Sequence, residues 1–147
     1  MQPFNPPDPE FESRVRSTFN LQQLMKTINA KLVKVGPGEV HIEIPFQLEL
    51  TQQNGFIHAG IITSIVDSAC GFAAYSLMTA TSGVLTVEYK INLLSPALGE
   101  RFLAIGRVKK PGRTLTVCEG DVFAHTEGEE KLVATMLATM MRLSETT

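Results

Sequence analysis

From Ala59 to Ala80 the chain runs for about 22 residues with one charged side chain, Asp67, and no other feature constrains its fold as much. A helix of that length can cross a bilayer. An acid near the centre, interspersed glycines and threonines, and the lack of a basic flank speak against that. A helix that is apolar on nearly every side can instead lie inside a protein, with the rest of the chain as its walls. The chain has 147 residues, one domain's worth and enough to bury a core without disulfides or metal. Only 19% of residues are charged, below the usual ~25%. Thirteen basic against fifteen acidic residues leave a net charge of −2, with no electrostatic footprint of a nucleic-acid binder. Cys70 and Cys118 stand far apart without a CxxC pattern, which fits two reduced, buried thiols in a cytoplasmic protein. The opening residues carry no basic stretch followed by an apolar run, so no secretory signal or membrane association is expected.

The walls can be read from periodicity. Pro3, Pro6, Pro7 and Pro9 predict a flexible arm over residues 1–8. Asp8-Pro9 then sets an N-cap residue before a proline at the first helical position, and Phe11, Val15 and Phe19 follow at a spacing of four. A second short helix, capped by Asn20, would turn Leu21, Leu24, Met25 and Ile28 inward, so that residues 9–30 hold two helices. From residue 31 the period becomes two. Val40, Ile42, Ile44 and Phe46 alternate with Glu39, His41 and Glu43 after Gly36-Pro37-Gly38, which predicts a hairpin of residues 31–36 and 39–47. The apolar run supplies a central helix over 59–78. Leu85, Val87, Tyr89, Ile91 and Leu93 alternate with Thr86, Glu88, Lys90 and Asn92 in the next strand, which sets Thr86 on its polar face. Strands at about 100–109, 113–125 and 131–143 follow, separated by turn residues. The last strand is apolar on both faces and calls for a second protein layer outside. The expected fold is α+β: a single domain over 1–147, with an antiparallel sheet of about six strands around one long helix and short N-terminal helices.

Chemistry concentrates on that helix. Gly60, Thr63, Ser64, Asp67, Gly71 and Ala74 share one side, and small residues around a lone carboxylate suggest a channel. A buried acid must be hydrogen-bonded or open to water, so Asp67 is either a structural acid tied to a neighbour or a catalytic or ligand-binding group. The first backbone N–H groups of the helix, those of Ala59 and Gly60, could hold a developing oxyanion. Asp67 lies eight residues beyond Ala59, roughly 12 Å along the axis, whereas reacting groups must come within about 3.5 Å. If both serve one site, one of them comes from a neighbouring subunit, and two antiparallel helices across a two-fold axis would create two equivalent sites.

Gly55-Phe56-Ile57-His58-Ala59-Gly60, an acid seven positions later and Tyr89-Lys90-Ile91-Asn92-Leu93-Leu94-Ser95-Pro96 together resemble the hotdog-fold acyl-CoA thioesterases, and among them the phenylacetate-degradation (PaaI-type) branch. Where that family has a His-Gly-Gly signature this chain has Ala59, which keeps the backbone N–H. The resemblance implies a hotdog fold and hydrolysis of an acyl-CoA thioester. It gives Asp67 the role of general base or nucleophile, the Ala59 amide that of oxyanion donor, and Gln52 an amide contact to thioester or water, with Gln53 the adjacent candidate. Thr86 falls where relatives place a hydroxyl near the carboxylate. Asn54, His58 and Gly60 fall at the substrate-contacting helix entry, His58 as a structural rather than a proton-transferring residue. The turn Lys110, Pro111, Gly112, Arg113, Thr114 and Leu115 matches the one that relatives lay against coenzyme A, whose phosphates Lys110 and Arg113 could pair. Coenzyme A enters only as part of substrate and product. No other cofactor and no metal are expected, since His41, His58 and His125 have no ligand spacing. The resemblance also implies a homodimer or a dimer of dimers. Two other functions fit the same fold: a hydroxyacyl dehydratase, whose longer pattern around the histidine is missing, and a non-catalytic acyl-CoA binder.

Overall fold

A computed structural model describes residues 3–144. Two short helices, α1 (Phe11–Phe19) and α2 (Gln23–Thr27), precede the hairpin β1 (Lys31–Gly36) and β2 (Glu39–Pro45). The long helix α3 (Ala59–Tyr75) follows, then β3 (Gly83–Leu93), β4 (Arg101–Lys110), β5 (Leu115–Thr126) and β6 (Glu129–Leu143). All six strands form one antiparallel sheet in the order β1-β2-β4-β5-β6-β3. Because β3 precedes β4 in the chain but pairs only with β6, it forms one end of the sheet, with its outer edge open. The sheet wraps α3, which is the hotdog arrangement.

The helix seats where the sheet has no side chains. Gly106 and Gly120 face each other across β4 and β5. A Cβ on Gly106 would lie 2.3 Å from the Ala69 carbonyl carbon, and one on Gly120 would lie 2.5 Å from Val66. Ile62, Ile65, Val66, Ala69, Cys70 and Phe72 therefore reach full burial against Ile42, Phe102, Ala104, Val122 and Met140. No helix among the described residues is long and apolar enough to cross a membrane.

Several boundaries differ from the sequence expectation. Helix α3 ends at Tyr75 rather than 78, where Arg14 takes over its carbonyls. The Arg14 guanidinium lies 4.2 Å over the Tyr75 ring and donates to the Tyr75 and Met78 carbonyls at 3.2 and 2.9 Å, placing positive charge at the helix C-terminus. Asp8 does not begin α1, which starts at Phe11; its carboxylate accepts the Glu10 N–H and pairs with Arg14 at 2.7 Å. Residues 3–8 form no helix or strand, yet they are docked rather than loose: Asp8 is buried and Phe4 packs on Gly38. Helix α2 begins at Gln23 after Gln22, not after Asn20. With a single turn it buries one stripe, Met25 and Ile28, and leaves Leu21 and Leu24 75% and 48% exposed rather than inward. Strand β2 stops at Pro45, and Phe46 is exposed.

Candidate functional site

Asp67 projects from the middle of α3 toward the start of β3. The side chain it meets depends on an irregularity in that strand. Thr86 pairs with Met140 and Glu88 with Thr139, so two residues of β3 stand against one of β6 and Val87 is the extra one. The bulge reverses the alternation. Glu88, Lys90 and Asn92 pair with the outward Thr139, Leu137 and Thr135, whereas Thr86 shares the inward face with Tyr89, Ile91 and Leu93. The sequence expectation that Thr86 lies on the face of Glu88 is thereby corrected. Its hydroxyl donates to Asp67 Oδ1 at 2.8 Å and also touches Met140 Sδ at 3.3 Å. Burial raises the Asp67 carboxyl above its ordinary 3.8, and the Thr86 hydrogen bond pulls partly against that rise. The pair borders a cleft of about 170 Å³ whose other walls are Gln22, Ser68, Gly71, Phe72, Val84 and Leu85.

The N-terminus of α3 makes a second centre. His58 caps it: His58 Nδ1 accepts the Gly60 N–H at 2.8 Å, and the His58 carbonyl accepts from Ile61 and Ile62. Among the described residues the Ala59 N–H is the one donor of this first turn without a partner, so only one of the two expected amides is free. With Nδ1 accepting, the neutral ring carries its proton on Nε2. Ala59 lines a cavity of about 430 Å³ with Gln52, Phe56, Ile62, Leu93 and Pro96. The Gln52 side chain accepts the Asn54 N–H, which ties it to its own loop. Gln53 and Asn54 are exposed and do not line that cavity.

Within one chain the two centres stay apart. Asp67 and Ala59 border different cavities, and eight helical residues separate them by about 12 Å. The hydroxyls of Thr63 and Ser64 bond back to the Ala59 and Gly60 carbonyls, and the small-residue side of α3 opens at two places, around Gly60 at the helix start and around Asp67 and Gly71. Of the larger apolar residues late in the helix, Phe72 borders the cleft; Tyr75 and Met78 are buried, and Leu77 packs near Gly38.

Residues 111–114 form the exposed β4–β5 turn. Lys110 and Arg113 have no ion-pair partner among the described residues, in contrast to Lys109, which pairs with Glu119 at 2.7 Å. Leu115 pairs with Met141, which in turn pairs with Leu85, so the turn ends two strand spacings, about 10 Å, from the start of β3. Gln22 and Ser68 escaped the sequence reading. Ser68 adjoins Asp67 and could have been found on the helical wheel, but nothing local predicts that Gln22 reaches across.

Residues 54–131 match the thioesterase superfamily. A thioesterase family protein from Silicibacter pomeroyi superposes with a TM-score of 0.91 over 92% of this chain and 99% of that one, at 48% identity. The PaaI protein of the E. coli phenylacetic acid degradation operon superposes with a TM-score of 0.83 over 93% and 96% of the two chains, at 15% identity, a likeness of fold. Acyl-coenzyme A thioesterase 13 of Homo sapiens is 33% identical over 104 residues, 70% of this chain and 72% of that protein.

Proposed function

The chain belongs to the thioesterase superfamily, and we propose that it hydrolyses acyl-CoA thioesters at a site shared between two subunits, with Asp67 as the general base. The observation that carries this reading is the Asp67–Thr86 pair at 2.8 Å beside an open cleft. Thr86 occupies Oδ1 and leaves Oδ2 to take a proton from water. The water oxygen adds to the thioester carbon, and the carbonyl oxygen gains the negative charge. The free Ala59 amide of the partner helix donates to that oxyanion. Collapse of the intermediate breaks the C–S bond, and the proton held by Asp67 passes to the departing thiolate. No group beyond water is required. Lys110 and Arg113, exposed and unpaired among the described residues, suit the phosphates of coenzyme A.

A second copy of the chain is supported by geometry and by surface. One helix cannot bring Asp67 and Ala59 to the same carbon. Strand β3 presents an open edge of 11 residues with Leu85, Val87, Tyr89 and Leu93 exposed, an edge that favours pairing with another chain. The free, buried thiols of Cys70 and Cys118 fit a reducing compartment such as the cytoplasm. Thiol release from a panel of CoA thioesters tests the function. Wild-type protein should turn over at least one class, and Asp67→Asn should reduce that turnover roughly 10²–10⁴-fold. Near-normal hydrolysis by the variant would overturn the assignment.

A further inference from the structure

Gly71 stands one helical turn after Asp67, inside α3, where glycine weakens a helix relative to alanine. Gly106 and Gly120 are required because the helix lies against them, but no such reason applies here: a Cβ on Gly71 meets no heavy atom within 4 Å. The space it leaves belongs to the 170 Å³ cleft beside Asp67 and Thr86. Phe72 and Val84 give that cleft apolar walls. Gln22, from the connection between α1 and α2, lines it from a distant part of the chain, its Oε1 accepting from Ser68 Oγ at 3.4 Å. The volume of the cleft is close to the roughly 150 Å³ of an enclosed apolar cavity that holds benzene, but this cleft is open at its mouth and carries the polar side chains of Gln22, Asp67, Ser68 and Thr86 beside its apolar walls.

We propose that this cleft is the acyl chamber of the thioesterase site, with Gly71 keeping its floor open and Gln22 lining its far side. The substrates are then CoA thioesters of compact acyl groups, up to about a six-carbon chain or a single ring. This rests on the thioesterase reading above. Gly71 and Gln22 act on selectivity, through the space they leave or fill, and not on the chemical step.

Non-cleavable S-alkyl thioethers of coenzyme A separate the chamber from catalysis. Calorimetry would compare the affinities of coenzyme A and its S-methyl, S-butyl, S-hexyl and S-decyl thioethers. In wild type the ratio of thioether to coenzyme A affinity should rise by up to roughly fourfold per methylene and level off beyond hexyl. Gly71→Leu should flatten that rise, and Gly71→Ala should shorten it while raising the melting temperature, so that unfolding cannot be the cause. Gln22→Ala should move the plateau toward decyl. A flat wild-type series, or Gly71 variants with the wild-type series, would overturn the chamber. A wild-type protein that shows the series but cleaves no thioester would leave the chamber standing and remove the function on which it was built.

Discussion

Thr86 donates to Asp67 Oδ1 at 2.8 Å because one extra residue, Val87, turns β3 over between Thr86 and Glu88. Without the bulge, Thr86 would share the outward face of Glu88 and leave Asp67, on a half-buried stretch of α3, with no hydroxyl to offset its desolvation. The strand irregularity and the candidate base are therefore one device.

Thr86→Val should cut kcat roughly tenfold or more, the effect of losing a hydrogen bond to a charged group. It should also move the acidic limb of the pH–rate profile to higher pH, since that bond holds the carboxyl down. Thr86→Ser should restore both. A rate loss with an unmoved limb would mean that Thr86 does not act through Asp67.

The direction of the Asp67 shift predicts two further observations. Activity should fall on the acid side with an apparent pKa above the ordinary 3.8, because the base must be ionised to accept a proton. Stability has the opposite sense. A carboxyl raised in the folded state binds protons there more readily than when unfolded, so folding weakens as pH rises through that window. Asp67→Asn carries no such cost and should melt no lower than wild type near pH 7, which calorimetry can check.

Subunit complementation tests the shared site. Ala59→Pro removes the free amide at a position where helices accept proline, and His58 before it already has extended backbone (ψ 137°). Asp67→Ala and Ala59→Pro chains, each inactive alone, should recover about a quarter of wild-type activity when denatured together and refolded in equal amounts, because half the dimers hold one intact site of two. No recovery would overturn the shared site.

Gly106→Val should be among the most destabilising single changes. Its side chain would enter the backbone of α3 at Ala69, and the helix cannot retreat without opening the core. A loss of about 3 kcal/mol or more by urea unfolding is expected. A smaller loss would mean that α3 shifts easily on the sheet.

Burial pushes the Glu39 carboxyl up, but hydrogen bonds from Lys34, His41 and Arg107 outweigh it and hold the group down to about 2. A depressed acid adds stability above its unfolded value, near 4.5, and loses it as pH falls toward 2. The difference in urea midpoint between wild type and Glu39→Gln should therefore be present at pH 6 and close between pH 4.5 and 2. A pH-independent difference would exclude the ion cluster as its source.

Local patterns carried the fold and the chemical residue types. The apolar run with one acid announced a wrapped helix and its candidate base, period-two segments marked β2 and β3 because burial on one face repeats in sequence, and turn residues set off β4, β5 and β6. Tertiary contacts settled what those patterns left open. The side of β3 that Thr86 faces depends on its register against β6, and the loss of the Gly60 amide depends on the His58 rotamer. Leu21 and Leu24 face solvent because α2 is too short to bury a second stripe. Gln22 reaches the cleft, and Gly71 has open space rather than a neighbour, through pairings between segments far apart in the chain. Periodicity records which residues are apolar; only packing decides what each polar side chain or missing Cβ meets.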